Sequence, residues 1–74
     1  MNKRVVIDPR IQHGKPVIRG TRVPVARLVE GLAGGMTFEE LQREYGVESL
    51  DIRAALEFAG QLVNQEEHHA LPTR

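Results

Sequence analysis

Thr37-Phe38-Glu39-Glu40-Leu41-Gln42-Arg43-Glu44-Tyr45-Gly46-Val47-Glu48-Ser49-Leu50-Asp51-Ile52-Arg53-Ala54-Ala55-Leu56 is the stretch whose punctuation decides the fold. Thr37 and Glu40 stand at capping-box spacing, so the Thr37 side chain covers the Glu40 amide and the Glu40 side chain reaches back. Phe38, Leu41 and Tyr45 fall on one face of the short helix that follows. Gly46 ends that helix, and Val47 takes the place of the hydrophobic contact that accompanies a glycine C-cap. A third helix opens at Glu48 or Ser49, with Asp51 in its first turn where the helix dipole favours an acid. Ile52, Ala55, Leu56, Ala59, Leu62 and Val63 predict its apolar stripe. Helix, tight glycine turn, helix is the pattern of a helix-turn-helix, here over 37–45 and 49–63.

Upstream, Pro24 suits the first turn of a bracing helix over 25–34. Val25, Leu28, Val29, Leu32 and Met36 recur on one face, and Gly34-Gly35 closes it. Before it, Arg4-Val5-Val6-Ile7 and Val17-Ile18 read as two short extended runs, with turn signals at Asp8-Pro9 and at Gly20. The predicted fold is mainly α: a trihelical, homeodomain-like helix-turn-helix core with a short N-terminal β-strand pair. Residues 1–24 form the head, 25–63 the helical core and 64–74 a tail without periodicity that frays unless a partner orders it. The whole is one domain.

A chain of 74 residues without cysteine has neither disulfides nor thiolate metal sites to staple it. Domains of this size bury only about 60% of their unfolded surface, so a second copy or a partner is the common remaining staple. No apolar run approaches a membrane span, and Asp8-Pro9-Arg10 interrupts any signal-peptide core, which predicts a cytoplasmic protein.

Net charge is zero, but unevenly laid out. Residues 1–30 hold seven of the ten Lys and Arg against two acids, while 31–74 hold three against eight acids. A basic half suggests a polyanion or an acidic partner, or two halves that attract across a dimer. The third helix is a poor reader of DNA: among its exposed positions Leu50, Arg53, Ala54, Glu57, Gln61 and Asn64 there is one cation, and Arg53 with Glu57 makes a plain i,i+4 surface pair. Phosphate or partner contacts would come from Lys3, Arg4, Arg10, Lys15, Arg19 and Arg22 in the head, with Arg53 the one candidate cation on the third helix.

Catalytic chemistry finds no footing. Gly14-Lys15 lacks the flanking residues of a phosphate loop. His13 reads as a loop residue, and His68-His69 are adjacent and so do not share a helix face as metal ligands would. Glu39, Glu40 and Glu44 form a solvated helix face. Neither a metal, a cofactor nor an enzymatic activity is expected. The tail, with Leu71 and a terminal Arg74, can instead fold onto a partner.

Val6-Ile7-Asp8-Pro9, the run Gly14-Lys15-Pro16-Val17-Ile18-Arg19-Gly20-Thr21-Arg22-Val23-Pro24-Val25, then Leu32-Ala33-Gly34-Gly35-Met36-Thr37, Glu39-Glu40-Leu41, Tyr45 and Asp51-Ile52-Arg53-Ala54-Ala55-Leu56 resemble the bacterial domain of unknown function 433 family across roughly residues 4–63. The resemblance implies a homeodomain-like fold and a VapB-like antitoxin. Such a protein, typically encoded beside a PIN-like ribonuclease toxin, binds and neutralises it and can repress its own operon on operator DNA. The charge layout and short head strands of this chain add the expectation of a homodimer through the N-terminal heads. The alternative from the same residues is a helix-turn-helix transcriptional regulator without a toxin partner. Where such proteins usually place Thr before the third helix, this chain has Glu48-Ser49-Leu50.

Overall fold

A computed structural model describes residues 2–67. The order is β1 (Val5–Val6), a turn at Gln12–Gly14, β2 (Val17–Ile18), α1 (Val25–Ala33), α2 (Phe38–Tyr45) and α3 (Ser49–Glu67). The mainly helical fold with a short antiparallel strand pair is the one the sequence predicts. β1 and β2 pair with Val5 opposite Ile18 and Val6 opposite Val17. A further bridge, Val17 to Pro24, was not foreseen and widens this head into three short extended segments.

Each helix boundary has a local cause. Pro24 sits just outside α1 as its N-cap, at φ −69° and ψ 143°, rather than inside the first turn. At the other end Gly35 takes the positive φ of 101°, while its amide bonds Leu32 and the Met36 amide bonds Gly31, the two hydrogen bonds of a Schellman cap. The capping box of α2 forms as expected, with Thr37 Oγ1 accepting from the Glu40 N–H at 3.1 Å and Glu40 Oε1 from the Thr37 N–H at 2.8 Å. Gly46 ends α2 in the left-handed region at φ 67°. At the start of α3 the Glu48 N–H donates to the Asp51 carboxylate at 2.9 Å, so Asp51 supplies the acidic half of a capping box in which Glu48 stands where Thr is usual.

Ile18, Leu28, Leu41 and Ile52 are almost wholly withdrawn from water and tie the head to all three helices. Burying each contributes on the order of 1.5–3 kcal/mol. Gly31 lets α1 and α2 approach closely, since a Cβ there would stand 2.7 Å from Leu41 Cδ2 and 3.2 Å from Met36 Sδ.

The apolar stripe of α3 differs from its predicted course. Ile52 and Ala55 are buried, but so is Ala54, which was expected at the surface, whereas Leu56, Leu62 and Val63 are exposed. The cause is the N-terminal segment, which lies on α3 and covers a second face: Asn2 Nδ2 donates to the Ala54 carbonyl at 2.7 Å and to Glu57 at 3.0 Å. α3 also continues to Glu67, four residues past its expected end at Val63.

Candidate interaction surface

The head presents cations because its turn chemistry projects them. In the Ile18–Val23 loop the Thr21 N–H and Oγ1–H both donate to the Ile18 carbonyl, at 3.0 and 2.8 Å. The Val23 N–H in turn donates to Thr21 Oγ1 at 3.0 Å. Gly20, third in the turn from Ile18 to Thr21, has the φ of 79° that a type II turn needs. Arg19 and Arg22 therefore flank a rigid two-residue tip, both exposed. Arg19 Nε donates to the Lys3 carbonyl at 2.7 Å, which brings Lys3 to the same end of the molecule.

Two of the seven nominated cations are committed within the chain. Arg4 reaches Asp51 at 2.9 Å and Glu48 at 3.2 Å, clamping the head to the start of α3. Its guanidinium is held above its ordinary, already high pKa, chiefly by the Asp51 hydrogen bond. Asp51, the acid expected in the first turn of α3, is 9% exposed and forms the inner half of this pair, a contact the sequence reading did not include. Arg10 forks onto Asp8 through Nε at 3.1 Å and Nη2 at 3.0 Å. That guanidinium, followed by the Arg10 backbone N–H, holds the Asp8 carboxyl below the usual carboxylate range.

Among the described residues Lys3, Lys15, Arg19, Arg22 and Arg53 make no ion pair. The Arg53–Glu57 surface pair does not form, as Glu57 accepts from Asn2 instead. Arg53 shares an open concavity with Lys3, Arg4 and Leu50, so α3 adds one cation to the Lys3 end of the head. Lys15 lies apart from them, beside Pro16, whose carbonyl accepts the first amide of α1. Leu71, Arg74, His68 and His69 lie outside the described residues.

The surface also has an apolar part that the sequence reading missed. A groove of about 430 Å³ runs between α1 and α3, floored by Val29, Phe58 and Ala59 and edged by Pro24 and Leu62. Its signal was present in the spacing of Ala55, Phe58, Ala59 and Leu62, which continues past the length of α1. The paired strands of the head, by contrast, direct Val17 and Ile18 into the chain's own core, at 0% and 1% exposure. No helix among the described residues is long and apolar enough to cross a membrane.

Known proteins resemble this arrangement. A curated Mycobacterium tuberculosis protein named "Putative antitoxin VapB45" is 42% identical over 53 residues, which are 72% of this chain and 22% of that protein. The chain thus spans about a fifth of that relative's length. The crystal structure of Rv2018 from the same organism superposes with a TM-score of 0.65 at 42% identity, over 70% of this chain and 24% of the other. A DUF433 member protein from Anabaena variabilis superposes with a TM-score of 0.76 at 31% identity, over 89% of this chain and 66% of its own. The model of the family described as "Protein of unknown function (DUF433)" matches residues 5–59, which take in the head from β1 onward, α1, α2 and, among the described residues, all the buried ones of α3. By that match and by these relatives, the chain belongs to the DUF433 family.

Proposed function

We propose that this chain is a non-catalytic antitoxin module that binds and neutralises a PIN-like ribonuclease, with the Arg19–Arg22 turn and Lys3 as the contact. The observation that carries it is the state of the head cations: Arg4 and Arg10 are consumed in internal pairs, while Lys3, Arg19 and Arg22 are left exposed around one rigid turn. Nucleases of that resemblance hold metal with clustered carboxylates. An arginine fork on a preorganised loop suits such a target, because guanidinium and carboxylate meet through two parallel hydrogen bonds. The antitoxin name of the VapB45 relative supports the same role.

DNA is the second ligand this surface favours. α2 and α3 have the helix-turn-helix order, but α3 offers phosphate only Arg53, and Glu57 and Asp51 lie near it. Operator binding would therefore run through the same head cations and show a salt slope to match.

Co-expression with the product of the adjacent gene tests the main reading. A stable complex and restored growth are expected, and Arg19→Glu with Arg22→Glu should abolish both. Absence of a complex on size exclusion, together with no growth rescue, would sink it. Gel shifts on the chain's own promoter at graded salt then separate the regulator alternative: a shift without any toxin partner, with a steep salt slope that flattens in Arg19→Ala or Arg22→Ala, would favour it.

A further inference from the structure

We propose that the groove between α1 and α3 receives a second copy of this chain, each copy laying the outer half of its α3 on the groove of the other about a two-fold axis. This does not rest on the toxin reading.

The first argument is the length of α3. Its 19 residues extend about 28 Å, against about 14 Å for α1 and about 12 Å for α2. Leu62 stands four residues after Phe58 and seven after Ala55, so it continues the core-facing stripe. Yet it is 46% exposed, while Ala55 is at 0%. From Gly60 to Gln65 every residue is exposed. The core stripe therefore outlasts the core, and Leu62 with Val63 forms an apolar ledge beside an apolar groove.

Charge decides the occupant. The rim carries Lys15 at the N-terminal end of α1 and Glu30 further along it, and neither makes an ion pair among the described residues. Glu30 lies five residues beyond Val25, a rise of about 7.5 Å. A uniformly acidic or basic partner would match one end and oppose the other. A two-fold axis across the groove reverses its ends, setting Lys15 of each copy against Glu30 of the other, so the surface is complementary to itself. Leu62 and Val63 of the second copy supply the apolar filling.

Sedimentation equilibrium of the full chain across the micromolar range tests this. The expected species is a dimer of the 8.3 kDa chain. Leu62→Glu and, from the α1 side, Ala26→Glu should each weaken association at least about tenfold, as a charge set in an apolar contact does, with unchanged circular dichroism. Both positions are solvent-exposed, so the monomer fold tolerates them. Lys15→Glu should weaken the dimer and the added Glu30→Lys restore it, whereas Ile7→Glu, exposed on the head, should leave it intact. A monomer throughout the range, a dimer indifferent to both Leu62→Glu and Ala26→Glu, or loss of the dimer in Ile7→Glu alone would overturn the proposal.

Discussion

Replacing Gly31 by alanine sets two physical effects of opposite sign against each other at one atom. In an exposed helix the change would stabilise by about 1 kcal/mol, because glycine gives up more backbone freedom on folding. Here the new methyl would stand 2.7 Å from Leu41 Cδ2, a separation that real Cβ atoms essentially never show. Leu41 is at 0% exposure and belongs to the same buried core cluster as Leu28 and Ile52, so it has no solvent to retreat into. Met36 Sδ, at 3.2 Å, narrows the other side. Inserting a methylene into such packing costs about 1–3 kcal/mol, so the net expectation is destabilisation by about 1 kcal/mol. For a domain this small that lowers the melting temperature by about 4–8 °C. The diagnostic is a double-mutant cycle with Leu41→Ala, read by urea and thermal denaturation at one protein concentration. Leu41→Ala alone costs about 2–5 kcal/mol through its cavity, and the methyl added by Gly31→Ala should refill part of it, so the double variant should be more stable than the two losses added. Should Gly31→Ala raise the melting temperature, or the two changes simply add, Leu41 does not rest on the backbone of α1. The close approach of α1 and α2 would then be wrong.

Two further perturbations report on local devices. Thr37→Ala removes one half of the capping box and should cost about 1 kcal/mol, with Thr37→Ser close to wild type; equal stability of all three would mean that α2 needs no cap. Asp8 is held below the usual carboxylate range by Arg10, so its folded pKa lies under its unfolded one. The resulting contribution is complete above the unfolded value near about 4 and is lost as pH falls through the lower folded value. Carbon-detected NMR titration should give Asp8 a lower midpoint in wild type than in Arg10→Ala, and coincident midpoints would refute the pair.

What the sequence disclosed was what short range decides. The Thr37–Glu40 box, the Gly46 terminator, the start of α1 at Val25 and the two strands depend on neighbours within a few positions, and each is where its residues place it. Errors gathered where a contact spans the chain. The Arg4–Asp51 pair was not legible because its partners are 47 residues apart, and Ala54 looked exposed because Asn2 covers it from 52 residues away. Leu56 drew a place in the stripe from periodicity alone, but the face it shares is not the one that α1, α2 and the N-terminal segment occupy. Gly31 carried no visible signal, since a close approach depends on which side chain arrives from the next helix. The head cations were all legible as residues; which were free and which were paired depended on acids distant in the chain or, for Arg10, on a turn that folds it back onto Asp8.

The clasp of Asn2 and Arg4 on α3 also orders events in time. During synthesis α1 and α2 leave the ribosome before the helix that residues 2–4 must grip has been made. Until Glu48, Asp51, Ala54 and Glu57 follow, the first strand has neither its ion pair nor its amide contact, and Ala54 stays wet. Closing a loop of some fifty residues is an entropic step that local helix formation cannot replace. The nascent chain therefore holds a partly assembled helix pair with an unattached basic head, and the head becomes a fixed surface only when the last helix arrives.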